Sequence, residues 1–164
     1  MTQGVVLRDV SEEDLPVLFD HQSDPVANRM AAFAPRDWEA FLSHWARILA
    51  DETVLKKAIL FDDLVAGNVV SFDRCRDREV GYWLGREYWD RGIATRALLA
   101  FLDRVETRRP ILARVARHNA ASKRVLEKCG FKFLRSEMAP GDADGTNVEE
   151  IILRLEANAG KPTH

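Results

Sequence analysis

Two apolar runs separated by a pair of aspartates place the strongest constraint on the fold. The first run covers residues 53–61, the second covers 64–72, and Asp62-Asp63 stands between them. This arrangement is typical of a β-hairpin. The charged stretch 73–78 predicts a second turn, and residues 79–85 predict a third strand. The centre of the chain is therefore expected to form an antiparallel meander of three strands.

The segments that flank this meander add helices and further strands. Apolar periodicity, capping residues and the stops at proline and glycine predict where they lie. In chain order they are a strand at 4–10, helices that begin near Ser11, Asp24-Pro25 and Trp38, the meander, a helix from Gly92 to Pro110, a strand at 111–115, a helix from Asn119 to Cys129-Gly130, and strands at 131–138 and 147–155. This order predicts a mixed α/β sheet flanked by helices, because it fits neither a Rossmann alternation nor a β-sandwich.

Length and composition narrow the class of protein. The 164 residues predict a single domain, which we expect over 1–156, followed by a flexible tail at 157–164. The longest uncharged stretch, 64–72, is far shorter than the roughly 20 residues of a membrane span. The first residues show no secretory signal. Cys75 and Cys129 form no CxxC pair and the four histidines show no metal-ligand spacing, which favours a cytoplasmic protein without a bound metal.

Positive charge is concentrated in one segment of a nearly neutral chain. Residues 104–135 hold ten lysines and arginines but two acidic residues, a net charge of +8, whereas the whole chain carries −2. Such a field suits a ligand that bears phosphates. The alternative is a set of solvated helix and strand faces. Nucleic acid is not expected as a partner, because no helix-turn-helix or interleaved aromatic pattern accompanies the charge.

The loop that precedes the helix at Gly92 could bind an anion. An apolar strand leads into it, and Gly92-Ile93-Ala94-Thr95 opens the helix with small residues that let a ligand approach the backbone. The free N–H groups and the dipole of a first helical turn favour a negative charge, and Arg91 adds a cation. The alternative is that small residues begin this helix for packing. The loop is neither a Walker loop nor a GxGxxG motif.

A second group of residues follows the strand at 111–115. Asn119 stands where it would cap a helix, Ser122 lies one turn inside, and Gly130-Phe131 returns the chain to the sheet. Taken alone, Asn119 could be a cap and nothing more.

The two groups, in this order, resemble the GCN5-related N-acetyltransferase (GNAT) family. The subgroup they resemble most is the RimJ/RimL type, which acetylates the N-termini of ribosomal proteins and related amines. The matching segments are Gly81-Tyr82-Trp83-Leu84, Tyr88-Trp89, Arg91 to Thr95, and Asn119-Ala120-Ala121-Ser122 through Gly130-Phe131. The resemblance implies a central, mostly antiparallel sheet in which the strands at 79–85 and 111–115 splay apart, with acetyl-CoA in the cleft as co-substrate.

The resemblance also assigns residues to the acetyl-CoA site. The strand residues inherit the contact with the pantetheine arm and an oxyanion position at a backbone N–H. The next loop inherits the pyrophosphate, Asn119 lies near the pantetheine, Ser122 lies near the sulfur, and Arg124 is a candidate for the phosphates. The implied cofactor-binding residues are Tyr82, Trp83, Leu84, Trp89, Asp90, Arg91, Gly92, Ile93, Ala94, Thr95, Asn119, Ser122 and Arg124.

Three positions depart from the family pattern. Trp89 stands where the motif begins with Gln or Arg, a change that is common in the RimJ/RimL-like subgroup. Arg96 replaces a frequent Glu, for which the sequence offers no physical reason. Leu126 replaces the tyrosine that acts as general acid in many members. Because leucine cannot donate a proton, Ser122 becomes the best donor beside the leaving thiolate.

The expected reaction is a direct attack of a neutral amine on the thioester. An amine with a pKa near 10 is mostly protonated at pH 7, so a base must accept its proton. Glu79 is the first candidate, because the family base often lies on that strand, although Glu79 could simply pair with its charged neighbours. Glu149 and Glu150 are rivals, and Glu149 alternates with apolar residues, where burial would favour its protonated form.

The acceptor is less well defined than the donor. A primary amine, either a protein N-terminus or a small molecule, is the expected class. The acidic residues between 137 and 150 (Glu137, Asp142, Asp144, Glu149 and Glu150) would favour a cationic amine, or would simply form a solvated turn. Free sheet edges would allow a homodimer. The alternative function is a non-catalytic sensor or interaction module that binds acyl-CoA, which Leu126 favours slightly.

Overall fold

The computed structural model describes residues 4–140 and 147–157. Within these ranges seven strands form one sheet, and five α-helices cover its two faces. The strands are β1 (Val5–Asp9), β2 (Leu55–Phe61), β3 (Leu64–Arg74), β4 (Asp77–Leu84), β5 (Ile111–Ala116), β6 (Lys132–Pro140) and β7 (Asn147–Leu155). The helices are α1 (Leu15–Gln22), α2 (Pro25–Ala31), α3 (Trp38–Ala50), α4 (Ile93–Arg104) and α5 (Ala120–Lys128).

The sheet is mixed and mostly antiparallel, as the sequence predicts. Its strand order is β1-β2-β3-β4-β5-β7-β6. All neighbouring pairs are antiparallel except β4 and β5, which run parallel because helix α4 carries the chain back between them. The predicted meander is thus β2-β3-β4, and the last two strands form the hairpin β6-β7.

Side-chain alternation divides the apolar residues between two clusters. In β2, Ile59 and Phe61 pack into the larger cluster with α4 and α5, whereas Ala58 packs into the smaller one with α1 and α3. Phe41 and Trp45, one turn apart on α3, are almost fully buried in the smaller cluster. The period of two in the strands therefore decides which helices each strand contacts.

The turn predicted over residues 73–78 is much shorter in the structure. Strand β3 continues to Arg74 and β4 begins at Asp77, so that Asp73 pairs with Arg78 across the two strands. The charged run reads as a turn because exposed charge is typical of one, but Arg78 is buried. Its guanidinium has a buried partner that the local sequence does not show.

The helix that begins after Gly92 ends earlier than predicted. It stops at Arg104 rather than continuing to Pro110, and residues 105–110 form a connection that leads into β5. Glu106 in this connection accepts a backbone hydrogen bond from Arg108 at 3.2 Å, which keeps the segment out of a helical path. The helix therefore stops six residues before the proline, and the Glu106 carboxylate in the connection turns inward.

That carboxylate is the centre of a buried polar network. Glu106 is completely buried, and its Oε1 accepts hydrogen bonds from Ser71 at 2.7 Å and from Arg78 at 2.8 Å. Arg108 donates to Oε2 at 3.0 Å. Burial by itself would raise the pKa of Glu106, but the hydrogen bonds from Arg108, Ser71 and Arg78 together hold it at about 2. The network joins β3, β4 and the connection before β5.

The expectations about a membrane span, a metal site, the tail and the domain boundary can be compared only with the residues that the structure describes. None of the helices in the described ranges is long and apolar enough to cross a membrane. In the same ranges, no three His, Cys, Asp or Glu side chains come together as a metal site. The predicted tail lies outside the described residues from 158 onward, as do Asp142 and Asp144, and the domain boundary at 156 stays a prediction.

We expect Glu106→Gln to lower the free energy of unfolding by about 3 kcal/mol at pH 7, because it leaves the buried Arg78 guanidinium without its buried counter-charge. The native pKa lies below the ordinary value of 4.5, so the contribution of the carboxylate is complete above pH 4.5 and is lost as the pH falls towards 2. Urea denaturation of both proteins from pH 7 to pH 3 should therefore show a difference that shrinks on acidification.

The matched control is Asp103→Asn, because Asp103 is exposed and its nearest guanidinium nitrogen is 3.9 Å away. We expect no change of stability for this variant. An equal loss in the two variants, or a loss for Glu106→Gln that does not depend on pH, would contradict the role given to the buried network.

Candidate active site

Strands β4 and β5 lie side by side but separate almost at once. The described residues of the two strands pair at a single register position, Glu79 with Leu112. Beyond it β4 continues to Leu84 and pairs on its other edge with β3, where Leu84 lies opposite Gly67. The edge of β4 that faces β5 is therefore open over its last residues, as the expected splay requires.

A cavity of about 530 Å³ opens beside the last residues of β4, beyond the point where β4 separates from β5. Its lining comes from the end of β4, the loop that follows, the first turn of α4, one face of α5 and the second half of α2. Twelve of the thirteen residues that the family resemblance assigns to the cofactor line this cavity, and the exception is Arg91. The structure thus brings together two sequence segments that lie far apart along the chain.

The first turn of α4 presents unpaired N–H groups to the cavity. The first intrahelical bond is donated by Arg96 to the Gly92 carbonyl at 3.2 Å, which leaves the N–H groups of Ile93, Ala94 and Thr95 without an acceptor in the helix. No described side chain caps this helix. Gly92 has a φ of +75°, and a Cβ placed there would meet no atom within 4 Å. The turn is therefore an open cradle for an anion.

Helix α5 forms the opposite wall and holds Ser122 in a defined position. The side chain of Asn119 caps the helix, because its Oδ1 accepts a hydrogen bond from the Ser122 N–H at 3.2 Å. The Ser122 Oγ lies 3.0 Å from the Tyr82 hydroxyl of β4. Burial raises the pKa of this tyrosine. One hydrogen bond between hydroxyls therefore spans the two walls of the cavity.

Arg91 is the predicted contact that the structure places elsewhere. Its guanidinium carbon lies 4.8 Å from the centroid of the Phe61 ring, at the end of β2, and the residue does not line the cavity. A cation over an aromatic face is a favourable contact in its own right. The positive charge that the sequence assigned to Arg91 is therefore directed at Phe61.

Sequence reasoning missed several lining residues. Lys128 lies four residues after Arg124, so both project from the same face of α5 into the cavity, and that spacing within the basic segment could have identified it. Tyr88 lies in the loop next to Trp89. The family motif includes Tyr88, but the sequence analysis does not predict that it contacts the cofactor. Helix α2 contributes apolar side chains for which the local sequence gives no signal: Ala27, Met30 and Ala31.

Trp83 explains how α2 comes to border the cavity. Its Nε1 donates a hydrogen bond to the His21 carbonyl at the end of α1, at 3.0 Å. Its ring lies 5.2 Å from that of Phe33, just after α2. Trp83 thereby fastens the α1–α2 connection to β4, and it also lines the cavity itself.

Glu79, the first candidate for the base, lies outside the cavity lining. It is almost fully buried, and its Oε2 accepts a hydrogen bond from Arg114 at 2.9 Å and forms an ion pair with Arg74 at 3.2 Å. This oxygen therefore lies within 3.2 Å of nitrogen atoms from two guanidinium groups. The alternative that Glu79 pairs with charged neighbours fits this arrangement, and its role as the base stays a prediction.

The rival carboxylates are ion-paired as well. Glu149 is partly exposed and lies 2.9 Å from Arg117, so the burial expected from its alternation with apolar residues is wrong at this end of β7. Glu150 lies 3.6 Å from Arg114, and Glu137 pairs with both Arg114 and Arg135. The described carboxylates of the hairpin therefore have their charge compensated, and they provide little net field for a cationic amine.

The sequence matches a family model over most of its length. Residues 5–132 match the model described as the acetyltransferase (GNAT) domain. The chain belongs to the GNAT acetyltransferase family. A search of curated protein sequences finds no match.

Solved structures share the GNAT fold over nearly the whole chain. A GNAT-family acetyltransferase from Bacillus anthracis superposes with a TM-score of 0.79 at 15% identity, covering 95% of this chain and 97% of that one. A spermidine N-acetyltransferase from Vibrio cholerae, in complex with CoA and spermine, gives 0.80 at 16% identity, covering 93% and 95%. The microcin C7 self-immunity acetyltransferase MccE, in complex with acetyl-CoA and AMP, gives 0.78 at 16% identity, covering 95% and 94%.

In this GNAT chain we expect Glu79→Gln to lower the free energy of unfolding by about 1–3 kcal/mol, because Arg114 loses a buried charged acceptor. The matched control is Glu137→Gln, which removes a more exposed partner of the same guanidinium and should cause a much smaller loss. Urea denaturation at pH 7 measures both. Equal losses would show that the burial of Glu79 is not what makes its ion pair important.

Proposed function

We propose that this chain transfers an acetyl group from acetyl-CoA to a primary amine by direct attack, as an enzyme of the cytoplasm. The cavity at the end of β4 is the observation that carries the proposal, because it joins the anion cradle at the start of α4 to the Ser122 hydroxyl on α5. Cys75 and Cys129, which are both free thiols, are compatible with a reducing compartment.

The cavity suits the chemical groups of acetyl-CoA. The N–H groups at the start of α4 would hold the pyrophosphate, and the cations of Arg124 and Lys128 would add attraction to the phosphates. The open edge of β4 would pair with the amide groups of the pantetheine arm, as a strand pairs with a neighbouring chain. When bound, acetyl-CoA supplies the acetyl group as a thioester.

Two parts of the chain would assist the transfer. Backbone N–H groups at the end of β4, from Tyr82 to Leu84, would donate to the negative charge that develops on the acetyl oxygen. Ser122 would donate its hydroxyl proton in a hydrogen bond to the sulfur as that atom gains charge. Leu126 cannot share this task, because it has no polar group and lies buried in the larger apolar cluster.

The proton of the attacking amine needs an acceptor in the cavity. Glu79, Glu149 and Glu150 are all paired with guanidinium groups, and none of them lines the cavity. We therefore propose water as the immediate acceptor, with Glu79 kept as the family-based alternative. Glu79→Gln also tests that alternative. If Glu79 has a structural role, the variant should lower the free energy of unfolding while the turnover rate of the folded protein changes little.

The acceptor and subgroup are the finer part of the proposal. The RimJ/RimL-like motif around Tyr82 and Ser122 favours a protein N-terminus or a related small amine. The part of the lining that α2 contributes is apolar, with Ala27, Met30 and Ala31, so it would contact a carbon chain rather than a cation. A homodimer would form at a free sheet edge, which in the described sheet is β1 or β6.

The decisive experiment is a thermal unfolding measurement with and without acetyl-CoA, followed by a panel of amines scored by thiol release. Ligand at 100 times its dissociation constant should stabilise the folded protein by about 2.7 kcal/mol. Stabilisation with thiol release establishes the transferase and begins to identify the acceptor. Stabilisation without turnover on any amine or N-terminal peptide supports the sensor, and an absence of stabilisation overturns acetyl-CoA binding.

We expect Arg124→Ala and Lys128→Ala each to weaken acetyl-CoA binding by about tenfold, because each removes a cation from the wall that faces the phosphates. The matched control is Lys123→Ala on the same helix, whose ammonium pairs with Glu127 at 3.8 Å and which does not line the cavity. Titration calorimetry at low and high salt measures all three. The two losses should diminish in high salt, and an equal loss for Lys123→Ala would point to net charge alone.

A further inference from the structure

We infer that Tyr82 is a positioning residue that directs the Ser122 hydroxyl towards the sulfur of the bound thioester. The inference rests on the proposed function, and it gives a task to a side chain that the family resemblance assigns only to pantetheine contact. Tyr82 and Ser122 are 40 positions apart in sequence, and they meet at 3.0 Å only because β4 and α5 form facing walls of one cavity.

The direction of this hydrogen bond decides what Ser122 can do. A serine hydroxyl has a single proton to donate and two lone pairs that accept. If Ser122 donated to Tyr82, no proton would remain for the sulfur. If Tyr82 donates, Ser122 accepts that bond and keeps its own proton for the cavity. A phenol is the stronger donor of the two groups, and burial keeps Tyr82 protonated because it raises the pKa of that hydroxyl.

The helix fixes the main chain of Ser122. Its N–H is held by the Asn119 side chain, which secures the first turn of α5. The main chain of Ser122 is therefore restrained by its own helix, and its hydroxyl is restrained by β4. Such a pair of restraints orients a donor before the ligand arrives, which reduces the cost of ordering it during the reaction.

The reaction step balances without any further reagent. The nitrogen–carbon bond forms, the carbon–sulfur bond breaks, and the electron pair of that bond goes to sulfur, which leaves as a thiolate. The Ser122 O–H donates a hydrogen bond to this thiolate while Tyr82 donates to Ser122. The proton that the amine loses goes to water, and the thiolate, whose thiol has an ordinary pKa near 8.5, takes a proton from water at neutral pH.

The test measures binding rather than turnover, so that it does not depend on knowing the acceptor amine. Calorimetry compares the affinity of CoA with that of desulfo-CoA, which lacks the sulfur, from pH 6.5 to pH 9.5. In the wild-type protein we expect CoA to bind about tenfold more tightly than desulfo-CoA at pH 9.5, where the thiolate is present, and about equally at pH 6.5.

The ratio of the CoA and desulfo-CoA affinities also cancels the effect of the other titratable groups in the cavity, because those groups contact both ligands in the same way. Tyr82 belongs to β4, the loop contributes a tyrosine and an acid, and α5 contributes two cations, while α2 contributes no titratable side chain. Cys129 lies behind Tyr82, and burial raises its pKa to about 11, which keeps it neutral over the range used. The titratable or charged side chains in the described lining are Tyr82, Tyr88, Asp90, Arg124 and Lys128.

Two single variants and the double variant test whether Tyr82 acts through Ser122. Ser122→Ala should bring the ratio of affinities at pH 9.5 to about one, and Tyr82→Phe should bring it to about threefold, since Ser122 is then free to rotate. The double variant should match Ser122→Ala alone, because Tyr82 acts through Ser122. Ser122→Thr, which keeps a hydroxyl, should retain the wild-type ratio. Thermal unfolding of each variant confirms that it is folded.

The outcomes separate the inference from the proposed function. Equal binding of CoA and desulfo-CoA by the wild-type protein at every pH would overturn the inference and leave acetyl-CoA binding intact. A Tyr82→Phe effect of the same size in the Ser122→Ala background would overturn it as well, since the tyrosine would then act independently. If neither ligand binds, the proposed function itself fails and the inference fails with it.

Discussion

The site depends on how the first residues of β4 are fixed to the start of β5. Arg78 is bound to Glu106 in the connection before β5, and the next residue, Glu79, is bound to Arg114 within β5. These two ion pairs project to opposite faces of the sheet, because consecutive side chains of a strand alternate. Together they hold the strands in contact at the single register position where they pair. Further along, no comparable bond joins the described residues of β4 and β5, and the cavity opens there.

The same alternation distributes the tasks of the remaining β4 residues. Tyr82 projects to the face covered by α4 and α5, where its hydroxyl reaches Ser122, whereas Trp83 projects to the opposite face and reaches the end of α1. A shift of β4 by one residue would exchange these two side chains and turn Arg78 and Glu79 away from their charged partners. The ion pairs of Arg78 and Glu79 thus fix the register at the start of β4. Because the strand is continuous, that register also determines where the polar groups of Tyr82 and Trp83 lie.

The elements and the two segments that form the α4 and α5 walls of the cavity could be predicted from the sequence, because the signals for them are local. The hairpin at Asp62-Asp63, the cap at Asn119 and the small residues after Gly92 each act within a few residues of their own position. Two of the differences between sequence and structure have a common physical cause, since each involves a charged side chain whose contact is distant in sequence. Arg78 appeared to belong to a turn because its partner Glu106 is 28 positions away, and the charge of Arg91 was assigned to the ligand because Phe61 lies on another strand. Local sequence shows how many charges a segment has, whereas the fold determines what each one contacts.

Leu126 shows how this reasoning applies to the chemistry. Many relatives have a tyrosine at this point of the helix, and the leucine here packs into the cluster between α4, α5 and the sheet, where it adds apolar contacts and no donor. A phenol is nevertheless present in the cavity, and it comes from the strand instead of the helix. Strand β4 is held by ion pairs at its start and by β3 along its length, so the strand holds this hydroxyl in place. The loss of a helical tyrosine therefore does not by itself indicate the loss of activity. What matters physically is whether some rigid element still directs a donor at the place where negative charge develops.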